Sequence, residues 1–252
     1  MLPCYIINLD RAKDRWDACS GRFARCGFDV VRVAAVDGGA LSAGELGDFA
    51  RRRYFFFYGR PVAAGEIGCY FSHIKALKAF LATGEESAMV CEDDVSPAEE
   101  LPEVLRECLR PRHRGMWDLL RLNAIHPTRG RTVAQLCHGY RLVRDVRTAS
   151  GDGCFVVNRR AAGLIVEHML PMRLPYDVAL FYGFPFGVRE MTVHPFPVAL
   201  DAALCGETTI TGRKGRYPLL SLASLRYPVL LPYKLVSRSV RLLERLRQAY
   251  FL

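Results

Sequence analysis

The chain has 252 residues, 50% of them hydrophobic, and a net charge of +9, which fits a folded domain of ordinary size and excludes a disordered chain. No apolar run reaches the roughly 18 residues that a spanning helix needs, and Met1 to Asp10 lacks the basic head and small-residue cleavage site of a signal peptide. Nine cysteines form an odd set without a C-x-x-C pair, which argues against a disulfide framework or a zinc site and for reduced thiols in the cytoplasm.

The charge is uneven. Residues 212–252 hold nine Lys/Arg and one Glu, a charge of +8, and residues 1–211 are near balance at +1. The body is therefore no nucleic-acid surface by charge, and any attraction for anions lies in the tail.

In chain order, Cys4 to Leu9 reads as a strand, and Asp14 to Cys26 as a helix with Trp16, Cys19, Phe23 and Cys26 at steps of three and four. Gly27 stops it. Phe28 to Val36 is a second strand and Asp37-Gly38-Gly39 a turn. This strand–helix–strand order opens a nucleotide-binding α/β sheet. Neither G-x-G-x-x-G nor G-x-x-x-x-G-K-[ST] is present, so a dinucleotide or P-loop site is not expected. Arg51 to Arg53 followed by Tyr54 to Tyr58 reads as buried aromatics flanked by surface arginines. Gly65 to Leu81 is a helix whose apolar stripe is Ile67, Phe71, Ile74, Leu77 and Leu81, with Ser72 and His73 off that stripe.

Ser87 to Val95 is the stretch that carries chemistry. Met89, Val90 and Cys91 form a buried strand, and Glu92, Asp93 and Asp94 follow where it leaves the sheet, the edge at which open α/β sheets bind ligands. Alternation along an extended chain would turn Glu92 and Asp94 one way and Asp93 the other. An E-x-D pair offers hard oxygen ligands to Mg²⁺ or Mn²⁺, and a solvated acidic turn at a helix start is the competing reading.

Leu101 to Leu109 is a short helix ended by the Pro111–Gly115 loop, and Trp117 to Leu122 a buried strand. Residues 123–137 read as a polar loop, Tyr140 to Val146 as a more exposed strand, Cys154 to Val157 as a strand and Arg159 to Met169 as a helix. Asp177 suits the cap of a short helix. Val188 to Val198 is extended, and Pro195 and Pro197 make it an edge strand.

These motifs, in order, resemble the family-25 glycosyltransferases, the group that includes lipooligosaccharide galactosyltransferases. Tyr5 to Arg11 with Arg15 looks like the family's opening strand, Gly65-Glu-Ile-Gly-Cys69 with Ser72-His73 its helix, and Ala88 to Val95 its E-D-D strand. Gly151 to Ala161 is similar to a later strand and helix, although Cys154-Phe155 stands where a tyrosine is usual, and Pro175-Tyr-Asp177 resembles its P-x-D segment. The resemblance implies a GT-A-like nucleotide-sugar-binding sheet flanked by helices. It also implies a UDP-sugar donor, typically UDP-galactose, and β-linked transfer with inversion to a lipooligosaccharide or other oligosaccharide acceptor. On that basis Glu92 and Asp94, with His194, hold Mn²⁺ or Mg²⁺, and Asn8, Arg11, Arg15, Glu66, Ser72, His73 and Asp93 form the donor side. Asp177 is the general base, ahead of Asp152 and Glu190. A non-catalytic membrane-associated adaptor that kept the fold is the alternative.

Residues 1–211 are then the transferase domain and 212–252 a basic amphipathic tail. On a helical wheel Val236, Val240, Leu243, Leu246 and Tyr250 share one face, opposite Lys234, Arg238, Arg241 and Arg245. Such a helix suits an anionic membrane surface, on the cytoplasmic face of the inner membrane.

Overall fold

A computed structural model of the chain describes residues 2–42, 47, 49–58, 61–124, 129–147, 151, 153–180 and 187–201, and in the tail Val236, Ser239, Val240, Leu242, Leu243 and Leu246. The chain opens with β1 (Pro3–Asn8), α1 (Lys13–Arg25), β2 (Asp29–Ala34), α2 (Arg51–Tyr58), α3 (Ala64–Leu81), β3 (Ser87–Glu92) and β4 (Val95–Pro97). It continues with α4 (Leu101–Cys108), the single turn α5 (Pro111–Arg114), β5 (Leu119–Arg121), β6 (Arg129–Gln135) and β7 (Arg141–Arg147). The last elements are β8 (Cys154–Asn158), α6 (Arg159–Met169), α7 (Tyr176–Leu180), β9 (Glu190–His194) and β10 (Val198–Leu200).

Eight strands form one sheet in the order β2-β1-β3-β8-β5-β9-β7-β6. β1 pairs in parallel with β2 and β3, and β5 with β9; β8 runs against both its neighbours, as does β7. The direction of the sheet is thus mostly shared, in the mixed α/β arrangement of a GT-A-like fold. Both faces are covered. Tyr5 and Ile7 of β1 and Ala88 and Val90 of β3 pack with α3, α6 and α7 on one side. Their neighbours Cys4, Ile6, Met89 and Cys91 pack with α1 and α4 on the other. Two-faced burial is what a continuous apolar run such as Ala88 to Cys91 requires, because successive side chains leave a strand on opposite sides.

Two strand expectations are corrected. Within the extended segment Val188–Val198, β9 is no edge strand: it lies between β5 and β7 of the large sheet. Pro195 and Pro197 follow the paired residues, so their missing N–H groups remove no ladder bond. The polar segment 123–137 contains β6, one edge of the large sheet, which among the described residues pairs only with β7; a strand with a solvent-facing side needs no apolar alternation. The Pro111–Gly115 loop is largely the turn α5. Tyr54 is buried and Arg51, Arg52 and Arg53 are exposed, as the basic–aromatic segment led one to expect. Residues 202–235, much of the tail, and Asp152 lie outside the described residues. Val236, Val240, Leu242 and Leu243 are helical and exposed, and among the described residues no helix is long and apolar enough to cross a membrane.

Asp118, fully buried just before β5, ties the amino end of that strand to β8, α6 and the residue before β9. It accepts from Asn158 Nδ2 at 2.9 Å, Arg160 Nη1 at 3.0 Å, the Arg189 backbone N–H at 3.0 Å, and Arg189 Nε and Nη2 at 2.8 and 2.9 Å. Asn158 also caps α6 through Ala161 N at 2.8 Å. Burial pushes the Asp118 carboxyl up, but the Arg189 and Asn158 hydrogen bonds overcome it and hold the acid at about 2. A depressed carboxyl stabilises the fold above its ordinary 3.8, and that share is lost as pH falls towards about 2. Asp118→Ala should cost about 3 kcal/mol in urea unfolding at neutral pH. Asp118→Asn should flatten the loss of stability in that acid interval, and an unchanged acid limb would refute this role.

Candidate active site

The edge opposite Asp118 carries a cleft of about 260 Å³, at the carboxyl ends of β1, β2 and β3, where parallel strands leave polar chain ends and space for a ligand. One wall is the first half of α3, which lies unusually close to the loop after β2. A Cβ on Gly68 would meet Val36 O at 2.5 Å, and one on Gly38 would meet Ala64 O at 1.9 Å. Ser72 staples the same contact: its hydroxyl donates to Gly68 O at 2.6 Å and accepts from Val36 N at 2.8 Å.

The acidic triplet forms the floor. β3 ends at Glu92, whose N–H donates to Gly153 O at 2.8 Å. After the turn, β4 pairs with β10, and Asp201 N donates to Asp94 O at 2.8 Å. The chain is therefore held on both sides of the turn. The extended conformation stops at Glu92, and all three acidic residues line the same cleft.

Their partners differ. Asp93 is buried, ion-paired with Arg15 Nη2 and accepts from Asn8 Nδ2 at 2.7 Å. Asn8, itself buried, also donates to Ala12 O at 2.9 Å and accepts from Arg32 at 3.0 and 3.1 Å. Asp94 Oδ2 sits 3.6 Å from the same Arg15 nitrogen, and its Oδ1 is buried with no hydrogen-bond partner. Burial, then the charge of Glu92, pushes Asp94 up to about 6; burial likewise raises Glu92. One guanidinium thus faces three carboxylates and is committed chiefly to Asp93. Two acids are left without a full partner, and hard oxygen donors of this kind could hold a divalent cation.

Arg11, Arg15, Ser72, His73, Glu92, Asp93 and Asp94 all line the cleft. Arg11 is largely exposed and ion-paired with Asp37. Asn8 stands behind Asp93. Glu66 is buried at the start of α3, where its Oε2 accepts from Ala63 N at 3.1 Å and Tyr54 Oη at 3.2 Å, the position of a helix N-terminal carboxylate. His73 is buried and stacked on Tyr176 at 4.1 Å. Burial holds it down at about 4, so it is neutral near pH 7. Half-buried Asp177 follows Tyr176 on α7 and accepts from Val178 N at 2.8 Å; its charge reaches both His73 and Glu92. His194 is not brought into this group. Its Nδ1 accepts from Arg141 Nη2 at 3.1 Å on β7, and β9 stands three strand positions from β3, about 14 Å at the usual spacing. Cys69 and Asp37 were not among the sequence candidates, although the i, i+4 spacing of Cys69 and His73 puts them on one helix face.

Residues 1–179 match the family described as "Glycosyltransferase family 25 (LPS biosynthesis protein)". A protein named Glycosyltransferase 25 family member from Aedes aegypti is 32% identical over 123 residues, which are 46% of this chain and 20% of that protein. A protein of the same name from Anopheles gambiae is 34% identical over 97 residues, 36% of this chain and 16% of that protein. Procollagen galactosyltransferase 2 of Mus musculus is 35% identical over 95 residues, 36% of this chain and 15% of that protein. The matches thus span about a fifth or less of these relatives.

The close approach of α3 is open to a direct test. Gly68→Ala should destabilise the chain by about 1–3 kcal/mol in urea unfolding, as overpacking does. Gly84→Ala, with nothing within 4 Å of its Cβ, should stay within about 0.5 kcal/mol of the parent.

Proposed function

Since the chain belongs to glycosyltransferase family 25, we propose that it moves a hexose, galactose foremost, from a UDP-sugar to a glycan acceptor with inversion. The name of the mouse relative, procollagen galactosyltransferase, supports galactose. The family description, LPS biosynthesis protein, supports a lipooligosaccharide acceptor, while the mouse name keeps a procollagen-like acceptor in the screen. The observation that carries the reading is the pair Glu92 and Asp94, uncompensated in a cleft at the sheet's carboxyl edge and flanked by Arg15.

The orphaned Asp94 Oδ1 and the hard oxygen donor set fit a cation. Glu92 and Asp94 would hold Mn²⁺ or Mg²⁺, which when bound offsets the negative charge developing on the departing diphosphate. Arg15 adds fixed positive charge at the same edge, and Arg11 stands at the mouth of the cleft. Asn8 keeps Asp93 and Arg15 in register beneath them. Asp177 takes the acceptor hydroxyl proton as that oxygen attacks the anomeric carbon from the face opposite the diphosphate. His73, neutral, presents no charge to the donor.

The tail is assigned to an anionic membrane surface on the cytoplasmic side, where a glycolipid acceptor is presented. Exposed Val240 and Leu243 on a basic segment support it. Paired substitution Val240→Asp and Leu243→Asp should weaken co-flotation of the whole chain with anionic vesicles by more than about tenfold; unchanged flotation would remove the tail from membrane binding.

UDP release measured across a set of UDP-sugars, with Mn²⁺ and with chelator, tests the activity and separates an enzyme from an adaptor. Asp94→Ala and Glu92→Ala should each lower turnover on the order of a hundredfold or more, with the far-ultraviolet circular dichroism unchanged. Near-normal turnover of both would end the metal assignment.

A further inference from the structure

Beside the hard oxygen pair lies a set of softer donors. Cys69 and His73 stand one turn apart on α3 and face Glu92 across the cleft, and one donor atom from each lies within 4.8 Å of the others. Cys69 Sγ is 3.5 Å from Glu92 Oε1, and His73 Nε2 is 3.9 Å from the same oxygen. His73 is prepared for ligation. Its Nδ1 is 2.9 Å from Cys69 O, and a carbonyl only accepts, so the proton is on Nδ1 and the lone pair on Nε2. That Nε2 is buried without a hydrogen-bond partner and points at Glu92. A histidine that donates one ring nitrogen to a backbone carbonyl and leaves the other bare has the arrangement that orients metal-bound imidazoles. The ring cannot swing away, because it is stacked on Tyr176 at 4.1 Å and on Phe155 at 6.1 Å.

We propose that Cys69, His73 and Glu92 form a second metal site, for a thiophilic divalent ion of the Zn²⁺ class. Zinc bonds of about 2.3 Å to sulfur and 2.0–2.1 Å to oxygen or nitrogen put tetrahedral sulfur and oxygen ligands about 3.6 Å apart. The Cys69–Glu92 separation of 3.5 Å already matches that, and the His73–Glu92 separation of 3.9 Å closes by about half an ångström. Three protein ligands leave the fourth position towards the cleft, as in zinc sites that keep one place open. A thiolate and an imidazole select such an ion over Mg²⁺ or Mn²⁺, which take oxygen. Binding releases the Cys69 thiol proton to solvent. Glu92 is common to both sites, so the thiophilic ion competes with the hard one; that consequence alone rests on the transferase reading.

Cobalt(II) is the probe, titrated into the full-length, reduced chain while the near-ultraviolet sulfur-to-cobalt band and the visible spectrum are recorded. One equivalent should give both, and Zn²⁺ should displace them. Cys69→Ala should weaken cobalt binding at least about a hundredfold, more than loss of an outer-shell partner does. His73→Phe, which keeps the ring stacked on Tyr176, should do the same, and Asp94→Ala should leave the band in place. No sulfur-to-cobalt band, or one undiminished in Cys69→Ala, overturns the site, as does its loss in Asp94→Ala. None of these readouts depends on sugar transfer, so a failed activity and a failed site are told apart.

Discussion

The buried contact of Asp93 with Arg15 and Asn8 is the constraint on which the active edge depends. Three consecutive acids at the end of a strand repel one another, and the chain resolves the conflict unequally. The middle acid turns inward to a guanidinium and an amide. The outer two have no full partner, and burial raises both carboxyls. Arg32 holds Asn8 from behind, so the contact is braced from β2 as well as from α1.

The sheet thereby separates stability from chemistry. At its amino edge, Asp118 gathers Asn158, Arg160 and Arg189 and ends with every acceptor oxygen engaged. At its carboxyl edge, Asp94 Oδ1 and His73 Nε2 are buried without partners. Unsatisfied buried polar atoms are costly, and these two belong to residues lining one cleft, where a ligand can engage them. Gly38 and Gly68 add to the same design, since only their missing Cβ atoms let α3 reach the loop after β2.

Much of this was legible in the residues. The spacing of Cys19 and Phe23 gave the buried face of α1, and the unbroken apolar run before Glu92 gave a strand covered on both sides. The triplet's place at a strand end followed from the same run. What spacing could not convey was tertiary. Ser72 and His73 stand off the apolar stripe of α3 yet are buried, because that helix is packed by the sheet, α6, α7 and the β2 loop together. β6 carries no apolar alternation because its outer side is wet. β9 reads as an edge only if its prolines are counted inside the strand. The partners of the three acids were tertiary too, since Arg15 comes from α1 and Asn8 from β1.

The most direct measurement is anomalous diffraction at the manganese edge from a crystal of the chain soaked with UDP and Mn²⁺. The account predicts one strong peak in the cleft, bonded to Glu92 or Asp94 oxygen and to the diphosphate, with Asp93 still on Arg15 and Asn8. A manganese peak elsewhere, or an empty cleft with the diphosphate bound away from the triplet, would contradict it.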